Sequence, residues 1–140
     1  MAAPQHPPNA RKRVLIVEDN PLNMRLFSAM IAAEGYEVLE ANSGQRGLEL
    51  AQQEHPDLII MDIQLPGMSG LEVTQNLKAD SATHDIPIIA TTAFATRGDE
   101  EVILATGCDA YMAKPIAISQ FLELVETFMA PAPRTAACSA

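Results

Sequence analysis

The stretch KRVLIVEDNPLN, residues 12–23, runs four apolar residues, Val14 to Val17, straight into two adjacent carboxylates, Glu18 and Asp19. Like charges side by side resist ionising together unless something positive sits between or beside them. Three more apolar runs end in groups with chemical potential: Asp62 in IIMDIQLPG, Thr91 and Thr92 in IPIIATT, and Lys114, followed by Pro115, after AYMA. Carboxylates, a hydroxyl and an ammonium form a set suited to phosphoryl transfer, in which the protein positions groups and neutralises oxygens. An Asp in such a set can act as the nucleophile and become an aspartyl phosphate.

Taken singly, each residue has an ordinary explanation. An Asp after a strand is usually a turn residue. A lone Lys is a solvated surface side chain, and a Thr in an apolar run suits a strand through its β-branching. The signal is the conjunction: four of five apolar runs end in complementary groups. The other run ends in Asn42 and Ser43, which read as helix-capping residues.

These groups need elements to position them. Apolar runs at 14–17, 37–41, 57–61, 86–92 and 110–113 are short and rich in Val and Ile, which predicts strands. Helical patterns fall between them. Asn20 caps the first, with Pro21 at its first position and Gly35 at its end. Its expected apolar face is Leu22, Leu26, Phe27, Met30 and Ile31. A second fits 44–54, a third starts at Ser69 with Glu72 three residues on, and a fourth begins near 96–99. The last carries Ile118, Phe121, Leu122, Val125, Phe128 and Met129 as a stripe. Strand and helix thus alternate five times, predicting an α/β doubly wound (βα)5 fold with a parallel sheet covered by helices on both faces.

In open parallel sheets, ligands bind beyond the carboxyl ends of the strands, where strand order reverses. If the order is 2-1-3-4-5, strands one and three are neighbours and Asp62 lies beside Glu18 and Asp19. Three carboxylates so close cannot all stay ionised in water-poor surroundings without a cation, and hard oxygen donors select Mg²⁺ or a similar ion. Asp62 is then the central candidate nucleophile, with Thr92 to donate to a phosphoryl oxygen and Lys114 to pair with another.

Composition bounds the rest. The 140 residues suit one domain, and no apolar run approaches a membrane span. The formal net charge of −9 argues against direct nucleic-acid binding, and Arg11-Lys12-Arg13 is too short to reverse that. Cys108 and Cys138 are too few for a disulfide framework and fit a reducing, cytoplasmic setting. Cys108 reads as a small buried filler. His6, His55 and His84 lack ligand spacing, so no zinc site is expected. Residues 1–11 and 131–140 are expected as flexible tails around a domain at 12–130, with no attached output domain.

The motifs VEDN, MDIQLPGMSGLE, TTAFA and AYMAKPI together resemble the receiver domain of two-component response regulators, the CheY-like family, over roughly 12–130. The 2-1-3-4-5 order is that of CheY itself and comes with the resemblance. The resemblance implies that Asp62 accepts a phosphoryl group from a histidine kinase or histidine phosphotransfer protein. It further implies that Glu18, Asp19, Asp62 and the Gln64 backbone carbonyl hold Mg²⁺, with Mn²⁺ as a substitute. Thr92 and Lys114 would engage the phosphoryl group, and the Lys114–Pro115 peptide would be cis. Thr92 and Tyr111 would form the switch, while Gln64 and Phe94 would tune phosphoryl lifetime. Within the family, EDNPLNMRLF, AFATRGDEE and GCDAYMAKPI are similar to single-domain regulators of bacterial cell division and polarity. Such proteins signal by contact with kinases, as monomers or weak dimers, in the cytoplasm and at cell poles. They catalyse only their own phosphorylation and dephosphorylation.

Other readings fit less well. A phosphatase with an Asp nucleophile would want an acid two residues on, and Gln64 cannot protonate a leaving group. A nucleotide-binding module would want a Gly- or Ser/Thr-rich loop after the first strand, where EDNPLN stands. A phosphoryl shuttle between kinase and phosphotransfer protein, and a phosphate-independent adaptor, remain as alternatives on the same fold.

Overall fold

The computed structural model describes residues 12–93 and 97–129. The expected tails, and with them His6 and Cys138, lie outside the described residues, as does Phe94. The elements are β1 (Arg13–Val17), α1 (Pro21–Ala33), β2 (Glu37–Ala41), α2 (Gly44–Glu54) and β3 (Leu58–Asp62). They continue as α3 (Gly70–Ala79), β4 (Ile88–Thr92), α4 (Arg97–Ala105), β5 (Ala110–Ala113) and α5 (Ile118–Met129). The strands form one parallel sheet of order β2-β1-β3-β4-β5, the flavodoxin-like arrangement.

Local chemistry sets the helix starts. The Asn20 side chain accepts from the Asn23 N–H at 3.0 Å, and Pro21 presets the first helical φ. Ser43 accepts from the Arg46 N–H at 3.1 Å, and Ser69 from the Glu72 N–H at 3.2 Å. Each cap satisfies an amide that the helix cannot pair internally.

Alternation along each strand divides the core between two faces. Leu15, Val17, Ile59 and Met61 face α2, α3 and α4, meeting Leu50, Val73, Leu77 and Ile103. Val14, Ile16, Leu58 and Ile60 face α1 and α5, meeting Phe27, Ile31, Phe121 and Val125. Every residue of β3 and β4 is buried. At about 1.5–3 kcal/mol per large apolar side chain, this two-sided burial anchors the strand whose last residue is Asp62.

The α1 face differs from the sequence expectation. Leu22 is 69% exposed and Leu26 49%, while Met24 joins Phe27, Met30 and Ile31 in the core. Positions 22, 26 and 30 and positions 24, 27 and 31 are both legitimate helical stripes. Only the docking angle of the helix on the sheet chooses between them. Ile118 is likewise half-exposed at the start of α5, although Phe121, Val125 and Met129 are buried as the stripe implies.

Candidate functional site

The strand ends converge. Glu18 follows β1, and its N–H donates to Ala41 O at 3.0 Å, so the chain stays in sheet geometry until the first carboxylate. Asp62 closes β3, and the next N–H, of Ile63, donates to Thr91 O at 2.9 Å. Thr92 closes β4, and its carbonyl accepts from the Lys114 N–H at 2.7 Å. One main-chain ladder thus carries Glu18, Asp62, Thr92 and Lys114 to the same edge.

One carboxylate oxygen from each of Glu18, Asp19 and Asp62 lies within 4.8 Å of the others. Glu18 and Asp62 are buried and Asp19 is exposed. Lys114 Nζ stands between two of them, 3.2 Å from Glu18 Oε1 and 3.3 Å from Asp62 Oδ2. Burial, and next the Asp62 charge, push the Glu18 carboxyl above its ordinary value. The Asn20 N–H, 3.2 Å from Glu18 Oε2, and the Lys114 ammonium pull the other way without cancelling the rise. One ammonium against three carboxylates leaves the cluster short of positive charge. An all-oxygen donor set with one exposed member fits a hard divalent cation such as Mg²⁺.

The remaining expected residues fall at different distances from this centre. Gln64 donates its main-chain N–H to Asp62 Oδ1 at 3.0 Å and reaches Thr92 Oγ1 with Nε2 at 3.5 Å. Thr92 is buried at the end of β4. Its neighbour Thr91 is also buried, but strand alternation turns it to the opposite face and its hydroxyl has no partner among the described residues. Tyr111 pairs with Ala90 on the edge strand β5, packed against the α2–α3–α4 side of the core. Partial burial, with the nearby Glu100 carboxylate, raises its hydroxyl above the ordinary value. The Lys114–Pro115 peptide is cis. Cys108 is buried, its Sγ 3.2 Å from Ile103 O, which suits a filler.

Two contributors escape the sequence reading. Gly70 begins α3 against the end of β3: a Cβ there would stand 2.0 Å from Asp62 O. Its N–H donates to Ile63 O at 3.0 Å, so the bare backbone holds α3 onto the Asp62 segment. The only trace in the sequence is a Gly directly after a capping Ser. Asn20, read as a helix cap, also gives its main-chain N–H to Glu18, which no side-chain pattern could reveal.

The family model described as response regulator receiver domain matches residues 14–126. The chain belongs to the receiver-domain family of response regulators. It is 54% identical over 121 residues to the polar-differentiation response regulator DivK of Brucella ovis, covering 86% of this chain and 98% of that protein. Among solved structures, it is similar to the receiver domain of the sensor histidine kinase PA1611 from Pseudomonas aeruginosa, which has a magnesium ion coordinated in its active-site cleft. That match has a TM-score of 0.79 and 34% identity, covering 85% of this chain and 98% of the other. The chemotaxis protein CheY4 of Vibrio cholerae matches with a TM-score of 0.80 and 27% identity, over 86% of this chain and all of that one (100%).

Proposed function

We propose that this chain is a phosphorylation switch in which Asp62 takes a phosphoryl group from a phosphohistidine of a histidine kinase or phosphotransfer protein. The observation that carries this reading is the placement of Lys114 Nζ between the Glu18 and Asp62 carboxylates, with Asp19 completing the cluster. Glu18, Asp19, Asp62 and the Gln64 carbonyl would hold Mg²⁺, which when bound supplies positive charge to offset that of the clustered carboxylates and an incoming phosphoryl group.

In the transfer, an Asp62 carboxylate oxygen attacks phosphorus. The P–O bond forms as the P–N bond breaks, its electron pair stays on the imidazole nitrogen, and a proton from solvent completes the histidine. Lys114 then pairs with a phosphoryl oxygen in place of the Asp62 oxygen it touches at rest, and the Thr92 hydroxyl donates to another. The added charge biases Thr92 and the edge strand carrying Tyr111, so that output is a changed protein–protein contact. Similarity to DivK supports a place in cell-division, cell-cycle or polarity control, in the cytoplasm and at cell poles, through the domain at 12–130.

The test is acyl-phosphate formation from acetyl phosphate, wild type beside Asp62→Ala. Labelling that vanishes without Mg²⁺ and without Asp62 supports the switch. A folded wild type that takes no label from acetyl phosphate or from a phosphorylated histidine protein overturns it in favour of a phosphate-independent adaptor.

A further inference from the structure

We propose that the Gln64 side chain is a latch: it holds the end of β4 in the resting protein and must let go when Asp62 carries a phosphoryl group. Its Oε1 accepts from the Ala93 N–H at 3.1 Å. Its Nε2 meets Thr92 Oγ1 at 3.5 Å, and its own main-chain N–H donates to Asp62 Oδ1 at 3.0 Å. One residue therefore touches the phosphoacceptor with its backbone and the last two residues before the β4–α4 junction with its side chain. The amide orientation follows from the partners. Ala93 offers only an N–H, so it needs the carbonyl end, which leaves the NH₂ group for the hydroxyl oxygen.

The latch rests on reading Asp62 as the phosphoacceptor. A phosphoryl group there brings close to two negative charges and three strong acceptor oxygens to the same strand ends. The donors at the end of β4 are the Thr92 hydroxyl, whose oxygen accepts from Gln64 Nε2 at rest, and the Ala93 N–H, which Gln64 Oε1 occupies. A hydrogen bond to a charged acceptor is roughly twice as strong as one to a neutral amide. Ala93 has a single N–H and cannot serve Gln64 Oε1 and a phosphoryl oxygen at full strength together. The anion wins, the Gln64 amide is displaced, and the Ala93 N–H passes from Gln64 Oε1 to a phosphoryl oxygen. Gln64 is thus a positioning residue. It opposes phosphorylation by the worth of the bonds given up, and it ties the state of Asp62 to the end of β4.

The experiment uses the full chain in its wild-type form and as Gln64→Ala, Gln64→Asn and Gln64→Glu. Amide hydrogen exchange by NMR is read at Ala93 without phosphodonor, and the phosphorylation rate is then read with acetyl phosphate and Mg²⁺. Ala removes the amide, and Asn keeps it on a side chain one methylene too short. Both are expected to expose the Ala93 amide selectively and to speed phosphorylation about twofold to tenfold, the range for one neutral hydrogen bond. Glu keeps an acceptor for Ala93, so protection stays, while its charge beside Asp62 slows the reaction. Unchanged exchange at Ala93 in Gln64→Ala overturns the latch. So does an Asn variant that behaves as wild type, or faster exchange spread evenly over the domain. A labelled wild type with an unaltered rate in Gln64→Ala overturns the displacement alone, whereas an unlabelled wild type overturns the phosphoacceptor reading and the displacement together.

Discussion

Lys114 Nζ lies 3.2 Å from Glu18 Oε1, joining residues 96 positions apart in the chain. Their strands are not neighbours: β3 and β4 stand between β1 and β5 in the sheet. The lysine stem spans that gap and places its ammonium over Asp62 on the way. The contact closes the site across most of the sheet's width, and removing it leaves buried negative charge with no ammonium beside it among the described residues.

Lys114→Ala is therefore expected to destabilise the protein at neutral pH by about 3 kcal/mol, the low end for stripping one partner from a buried ion pair. Urea unfolding at pH 7 and pH 4 measures it. The loss should shrink at pH 4, where Glu18 can take up a proton. Equal losses at both values would mean that packing of the lysine stem, and not its charge, sets the cost.

The pH dependence of stability carries the mark of Glu18. Its carboxyl is raised above 4.5, first by burial and then by Asp62, so the folded protein holds that proton more tightly than the unfolded chain does. Between 4.5 and the raised folded value, the folded state binds more protons, and stability falls as pH rises. The contribution is fully present below 4.5 and lost as pH climbs through the folded value. Denaturant midpoints measured in EDTA should show this decline, and Glu18→Gln should flatten it.

Mg²⁺ should reverse the same penalty. A cation that binds only the folded form stabilises by about 2.7 kcal/mol at one hundred times its dissociation constant. Thermal melts with Mg²⁺ and with EDTA should therefore separate for the wild type. Asp19→Asn should bring the two curves together with little change in EDTA, because Asp19 is the exposed member of the cluster. A full shift retained in Asp19→Asn would place the ion elsewhere.

Gly70→Ala tests the backbone beneath the site. The added methyl would stand 2.0 Å from Asp62 O and 2.8 Å from Ile63 Cα, both main-chain atoms that cannot swing aside. The expected cost is about 1–3 kcal/mol, as for an overpacked core position. Phosphorylation of Asp62 should slow more than this loss of stability explains, because the displaced atoms carry the carboxylate. A variant with unchanged melting and unchanged phosphorylation would show that α3 can shift freely against β3.

The sequence by itself determined the alternation of elements and the strand ends on which the reactive groups fall. Apolar runs bounded by Pro21, Gly35 and capping serines are local signals, set by backbone dihedrals and by amides that need partners. Glu18, Asp62, Thr92 and Lys114 each follow such a run, so their common edge was legible once the sheet was taken as parallel. The strand order came with the family's motifs, since five buried strands of similar composition carry no local mark of their neighbours. Tertiary structure decided the rest. Which stripe of α1 is buried depends on how the helix docks, because helical periodicity allows both the stripe with Leu22 and Leu26 and the one with Met24. Gly70 and the Asn20 amide contribute through main-chain atoms, which every residue possesses and no pattern advertises. The reach of Gln64 to Ala93 and of Lys114 to Glu18 exists only after non-local strands are packed side by side, for such contacts are made by geometry between elements and are not encoded within any one of them.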